Sequence, residues 1–209
     1  MPTLIYTLRA SEPSRSNTLP FRPLYILMDP QVPLTLVVAA QSGDERDVER
    51  LLRAIWPDAY RLARAILLDG AVAEDVAQEA CIKVYRGIAA LRTPQAFRSW
   101  LYRIIIREAL KHKKIQASPV SESLSASYCD DPTASLDLWH ALGTLPNTLR
   151  AVVVLRYFEN LTSREIGAVL GVPHPTVRFR LMTALRRLQP LLAQSDSAKA
   201  LMKKEFYAL

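Results

Sequence analysis

"EIGAVLGVPHPTVRFRLMTALRRL", residues 165–188, reads as two short helices joined at a glycine, with arginines along one side of the second. The preceding "TSRE" has the form of a capping box, in which the Thr162 hydroxyl takes the Glu165 amide while Glu165 reaches back. Gly171 suits the left-handed conformation that ends a helix, and the next helix opens near Pro175. Helix, tight turn, helix is the helix-turn-helix arrangement, whose second helix lies in the major groove of DNA. At 100° per residue, Val177, Leu181, Ala184, Leu185 and Leu188 share one face, fit to pack on Ile166 and Leu170. Thr176, Phe179, Arg180, Thr183, Arg186 and Arg187 fall on the other side, with Arg178 at its edge. Arginine bonds guanine or clamps phosphate, and an exposed aromatic can touch a thymine methyl. The arginines alone would also suit a solvated basic helix; the capping box and the turn in register favour DNA.

Composition agrees. The chain has 209 residues, half of them hydrophobic, and a formal net charge of +7. A basic balance favours polyanionic partners. Cys81 and Cys129 sit in no metal-ligand spacing, which argues against a disulfide framework or zinc module and fits a reducing cytoplasm. No apolar run approaches the roughly 18 residues of a membrane span, and Arg9 follows rather than precedes the apolar patch 4–8, the wrong order for a secretory signal.

The first helical block starts near Asp44. Val48, Leu51, Leu52 and Ile55 form one stripe, and Ala59, Leu62, Ala63, Ile66 and Leu67 another, with Pro57 expected to separate two helices. Further helices are predicted over 72–86 and about 97–113. No stretch alternates as a strand does, so the class is all-α. Ahead of this block, prolines and serines argue for a disordered arm, and Met28 offers an alternative start that would remove residues 1–27. The serine-rich stretch 115–135 lacks periodicity and reads as a flexible linker. The pattern resumes with helices over 136–145, 147–158, 162–170 and 175–192. The expected organisation is an arm over 1–40, a helical domain over 41–114, a linker over 115–135, a second helical domain over 136–194 and a tail over 195–209.

The order of the pieces carries a resemblance. "LGTLPNTLRAVVVLRYFENLTSREIGAVLGVPHPTVRFRL", residues 142–181, resembles the fourth conserved region of the extracytoplasmic-function (ECF) sigma factors of the sigma-70 family. "AEDVAQEACIKVYR", residues 73–86, is similar to that family's Ala-Glu-Asp-hydrophobic-x-Gln-Glu signature, and "AFRSWLYRI", residues 96–104, to its Trp-Leu-x-x-Ile helix. Together the similar stretches run from about residue 44 to 192.

The resemblance implies a subunit that binds core RNA polymerase and directs it to promoter DNA. On the helix over 72–86, Ala73, Ala77, Ala80, Val84 and Ile88 would be buried. Glu74, Asp75, Gln78 and Ile82 face outward with Glu79 flanking, and in the family this surface docks the polymerase. The helix from Phe97 and the loop before it would meet the promoter-proximal element and help to melt it, through Arg92, Thr93, Gln95, Arg98, Arg103, Arg107 and Lys111. Phe97 and Trp100 are expected in the core. The upstream element would fall to Thr176, Arg178, Phe179, Arg180, Thr183, Arg186 and Arg187. The chain departs from the family at Arg107, Pro175 and Phe179, where asparagine, glycine and a small residue are frequent; this puts the promoter sequence in doubt, not the fold. In the family the linker threads the polymerase cleft, and an anti-sigma factor restrains the subunit. Here such an inhibitor would be a separate chain.

The rival reading is a dimeric helix-turn-helix regulator that binds an operator alone. It leaves the acidic "AEDVAQEA" surface and the aromatic-basic helix without a role. No nucleophile elbow, phosphate-cradling loop or paired metal ligands point to an enzyme. The reading calls for no cofactor, metal, small-molecule substrate or membrane insertion, and for a cytoplasmic location.

Overall fold

The computed structural model describes residues 32–112 and 132–192. Within them are eight α-helices, two short 3-10 turns and no strand, so the described part is all-α. The first four helices are α1 (Leu34–Gln41), α2 (Glu45–Leu67), α3 (Gly70–Gly87) and α4 (Phe97–Lys111). The last four are α5 (Pro132–Gly143), α6 (Asn147–Tyr157), α7 (Ser163–Leu170) and α8 (His174–Leu192).

Local chemistry sets the boundaries. Asp44 caps α2, its carboxylate accepting from the Arg46 and Asp47 amides, and Asp69 caps α3 by accepting from the Val72 amide at 3.0 Å. Both satisfy donors that a helix start leaves open. α2 packs along α3, and α3 along α4; in the second set α8 lies against α6 and α7. Ala73, Ala77, Ala80, Val84 and Ile88 are buried as the spacing predicts, and small alanines let neighbouring helices approach. In the second set Trp139 is fully buried, its ring 5.3 Å from that of Phe158.

Three boundaries differ from expectation. α1 begins at Leu34, inside the stretch read as an arm over 1–40, because Val37 and Ala40 find a partner in α2. Pro57 does not separate two helices; α2 runs through it. The lost amide and the clash with the preceding turn are outweighed by apolar residues on both sides, Leu51 and Ile55 before and Ala59 and Leu62 after, which are fully buried. Third, α5 starts at Pro132, inside the expected linker, with proline at the helix start where its missing amide is not needed. The interior of the linker, the arm up to residue 31 and the tail over 195–209 lie outside the described residues.

The two sets of helices touch. α4 meets α7, and α2 meets α6. At the seam the Tyr102 hydroxyl donates to Glu159 Oε2 and accepts from Arg98 Nε at 3.0 Å, while Arg98 Nη2 stands 3.5 Å from the same carboxylate oxygen. Arg103 Nη2 donates to the Ala168 carbonyl at 3.2 Å, and Asn147 Nδ2 to the His112 carbonyl at 3.2 Å. Arg150 bridges the sets from within. The residue is 2% exposed, and its guanidinium donates to the carbonyls of Leu142, Gly143 and Leu145 at one helix end and of Ile66 at another.

Candidate functional site

α7 and α8 have the geometry of a helix-turn-helix. The Glu165 amide donates to Thr162 Oγ1 at 3.3 Å and the Thr162 amide to Glu165 Oε2 at 2.8 Å, which closes the capping box. The Thr162 hydroxyl, donating to Glu165 Oε2 at 2.7 Å, and the Thr162 amide together hold the Glu165 carboxyl below its ordinary range. Gly171 ends α7 at φ 69°, a left-handed conformation that only glycine adopts without strain. Gly167 serves the turn differently: a Cβ there would lie 2.7 Å from the Val172 carbonyl oxygen, so a side chain would push the turn away from α7.

α8 then presents two chemically distinct faces. Val177, Leu181, Ala184, Leu185 and Leu188 are buried, as the wheel predicts. Arg178, Phe179, Arg186 and Arg187 are exposed, and Thr176, Arg180 and Thr183 half-buried. No acidic residue occurs anywhere in α8. The exposed face is therefore cationic without internal neutralisation, which suits phosphate and base edges.

The face of α3 is of another kind. Glu74, Asp75 and Gln78 are exposed, Glu79 is half-buried with an oxygen 3.4 Å from Lys83 Nζ, and Ile82 and Tyr85 stand 42% and 61% exposed. Acidic groups beside apolar side chains repel DNA and suit a protein surface.

The residues expected at the proximal element are only partly brought together. Arg92, Thr93 and Gln95 are exposed on the connection between α3 and α4, and Arg107 is exposed on α4. Three others are engaged inside the molecule. Arg98 reaches Glu159, Arg103 reaches Ala168, and Lys111 Nζ lies 2.6 Å from Glu108 Oε2. Burial raises the Glu108 carboxyl, but the hydrogen bonds from Lys111 and Lys83 outweigh it and leave it below its ordinary value. Phe97 is buried and Trp100 packs on the core over Gly87, where a Cβ would come within 2.9 Å of the indole, so both rings act in packing.

Sequence reading missed Glu159 and Arg150. Burial raises the Glu159 carboxyl, more than Tyr102 and Arg98 lower it, and among the described residues its Oε1 meets no donor. Arg150 belongs to the quoted "LPNTLR" stretch but reads there only as part of a helix start. Nothing local marks either residue, because the Glu159 partners Tyr102 and Arg98 and the Arg150 partner Ile66 lie far off in the chain. Among the described residues no group of three His, Cys, Asp or Glu is placed to hold a metal, and no helix is long and apolar enough to cross a membrane.

Comparison with known proteins matches residues 51–118 to Sigma-70 region 2 and residues 135–188 to Sigma-70, region 4. Among relatives, the RNA polymerase sigma factor SigV of Bacillus subtilis is 33% identical over 145 residues, which span 66% of this chain and 87% of SigV. The RNA polymerase sigma-H factor of Pseudomonas aeruginosa is 32% identical over 184 residues, 77% of this chain and 95% of that protein. In solved structures, CnrH in complex with the cytosolic domain of CnrY aligns over 78% of this chain and 98% of its own, with TM-score 0.57 and 22% identity. The sigma factor RpoE of Bartonella quintana, in complex with the anti-sigma factor NepR, aligns over 72% and 99% with TM-score 0.53 and 18% identity. These two likenesses concern the fold.

Proposed function

The chain belongs to the sigma-70 family as an ECF RNA polymerase sigma factor acting in promoter recognition and transcription initiation, and on that premise we propose how its surfaces divide the work. The observation that carries the proposal is the pairing, on one chain, of an acid-free arginine face on α8 with an acidic-apolar face on α3. One surface suits duplex DNA and the other suits protein, as a factor that brings an enzyme to a DNA site requires.

α3 docks core polymerase through Glu74, Asp75, Gln78, Glu79 and Ile82. α8 reads the upstream element through Thr176, Arg178, Phe179, Arg180, Thr183, Arg186 and Arg187. Arg92, Thr93, Gln95 and Arg107 meet the proximal element, and Arg98, Arg103 and Lys111 join them once released from their internal partners. Stacking or pocket capture of unpaired bases supplies a few kcal/mol per base toward melting. The domains run from α1 to about residue 114 and from α5 to about residue 194, with a linker between. The factor does no covalent chemistry of its own and needs no cofactor or small-molecule substrate; it works in the cytoplasm, where the polymerase is. A separate anti-sigma chain restrains it, a reading supported by the complexes in which the two solved fold neighbours were captured.

The test is transcription in vitro. Core polymerase with the purified chain on genomic fragments should give discrete start sites that core alone does not. If the chain and core ignore each other while the chain binds a duplex operator unaided, the rival regulator replaces this reading.

A further inference from the structure

Phe179 is 71% exposed, more than any other large hydrophobic side chain among the described residues. One exposed apolar residue needs no explanation by itself. Its surroundings here give it one. Arg178 and Arg180 flank it in sequence, and the helix that carries it holds no acid. One turn on, the Thr183 hydroxyl donates to the Phe179 carbonyl at 2.8 Å. That hydroxyl is spent on its own helix, so what Thr183 has left to offer outward is chiefly its methyl group. The helix therefore carries an apolar spot, ring plus methyl, inside a field of guanidinium groups. A protein or lipid partner would call for a broader apolar area than this; a polyanion with an isolated methyl group matches it.

In the major groove only thymine offers a methyl, at C5, beside the acceptors that arginine takes. We propose that Phe179, supported by Thr183, reads the C5-methyl of a thymine in the upstream promoter element. This makes Phe179 a specificity-determining residue, and it rests on α8 being the DNA-reading helix of the proposed function. The arginines supply affinity to phosphate and guanine; the ring supplies the choice of thymine over cytosine at one step.

The experiment replaces each thymine of the upstream element, on either strand, by deoxyuridine, which removes the methyl and leaves every hydrogen-bonding atom in place. Promoter binding is measured for holoenzyme containing the full-length natural chain, F179A or F179L. One thymine-to-deoxyuridine change should weaken the natural holoenzyme about fourfold, the value of one buried methyl-sized group. F179A should bind the natural promoter weakly by a similar factor and be indifferent to that same change, while F179L keeps part of the sensitivity. The proposal is overturned if the natural holoenzyme ignores every deoxyuridine, if F179A keeps the full sensitivity, if the upstream element holds no thymine, or if F179A loses a protein partner and not promoter affinity. Holoenzyme that still initiates from its promoter in those cases leaves the sigma assignment intact; a chain that directs no initiation at all removes both.

Discussion

Arg150 shows how one residue can bind two parts of a chain that share no local sequence signal. The last carbonyls of a helix lack intrahelical donors and carry partial negative charge. The Arg150 guanidinium satisfies carbonyls at the end of α5 and one at the end of α2 together. Burial pulls its pKa down to about 10, so it stays charged at neutral pH. Replacing Arg150 with methionine keeps most of the apolar stem but leaves these carbonyls without a donor. Each unsatisfied buried group costs about 1–3 kcal/mol, partly recovered by relaxation, so a loss of about 3 kcal/mol is expected. Urea unfolding followed by circular dichroism measures it, and a loss below about 1 kcal/mol would mean that water replaces the guanidinium. The arginine was visible in the sequence; its partners were not, because Ile66 is brought to it only by the fold.

At the scale of elements, the parts fixed by neighbours three or four residues apart were the legible ones. The capping box at Thr162, the left-handed Gly171 and the two faces of α8 all follow from such short-range rules, and the structure has each. Pro57 and α1 went unread because tertiary packing decided them against local preference, and the start of α5 because its proline, which suits a first turn, also reads as part of a linker. The cap yields a measurable expectation: Thr162→Ala should destabilise the second set of helices by about 1 kcal/mol and shift the urea midpoint down without changing the slope. α3 yields another. Asp75 is exposed, so Asp75→Arg should leave the circular dichroism spectrum unchanged. It should nonetheless weaken association with core polymerase at least fivefold, because a like-charge contact replaces a favourable one. Normal capture of core by the folded variant would remove α3 from the docking surface.

The whole molecule adds what neither residue nor element shows: the two sets of helices are closed on one another through a polar seam, and two arginines expected at DNA are held in it. A buried polar seam costs desolvation on both sides, so it can be parted at less cost than an apolar core. Glu159 makes the balance depend on pH. Burial raises its carboxyl above the usual value near 4.5, so the seam favours the protonated form. The stabilising contribution is fully present below that usual value and fades as pH rises through the raised one. The charged and titratable groups acting on it are Asp58 from α2 and Arg98 and Tyr102 from α4; Asp58 in turn pairs with Arg61, and Arg98 also acts on Glu165 of α7. Acidifying from neutral through the raised value toward 4.5 should thus shift the protein toward the closed arrangement. Fluorophores placed on exposed positions of α3 and α8 would report higher energy transfer as the pH falls. Glu159→Gln, neutral at every pH and still able to accept from Tyr102, should hold the transfer at its acid level across the range. If natural protein and variant show the same pH profile, the seam does not respond through Glu159. Closure would then rest on Arg150 and the remaining contacts between α2 and α6.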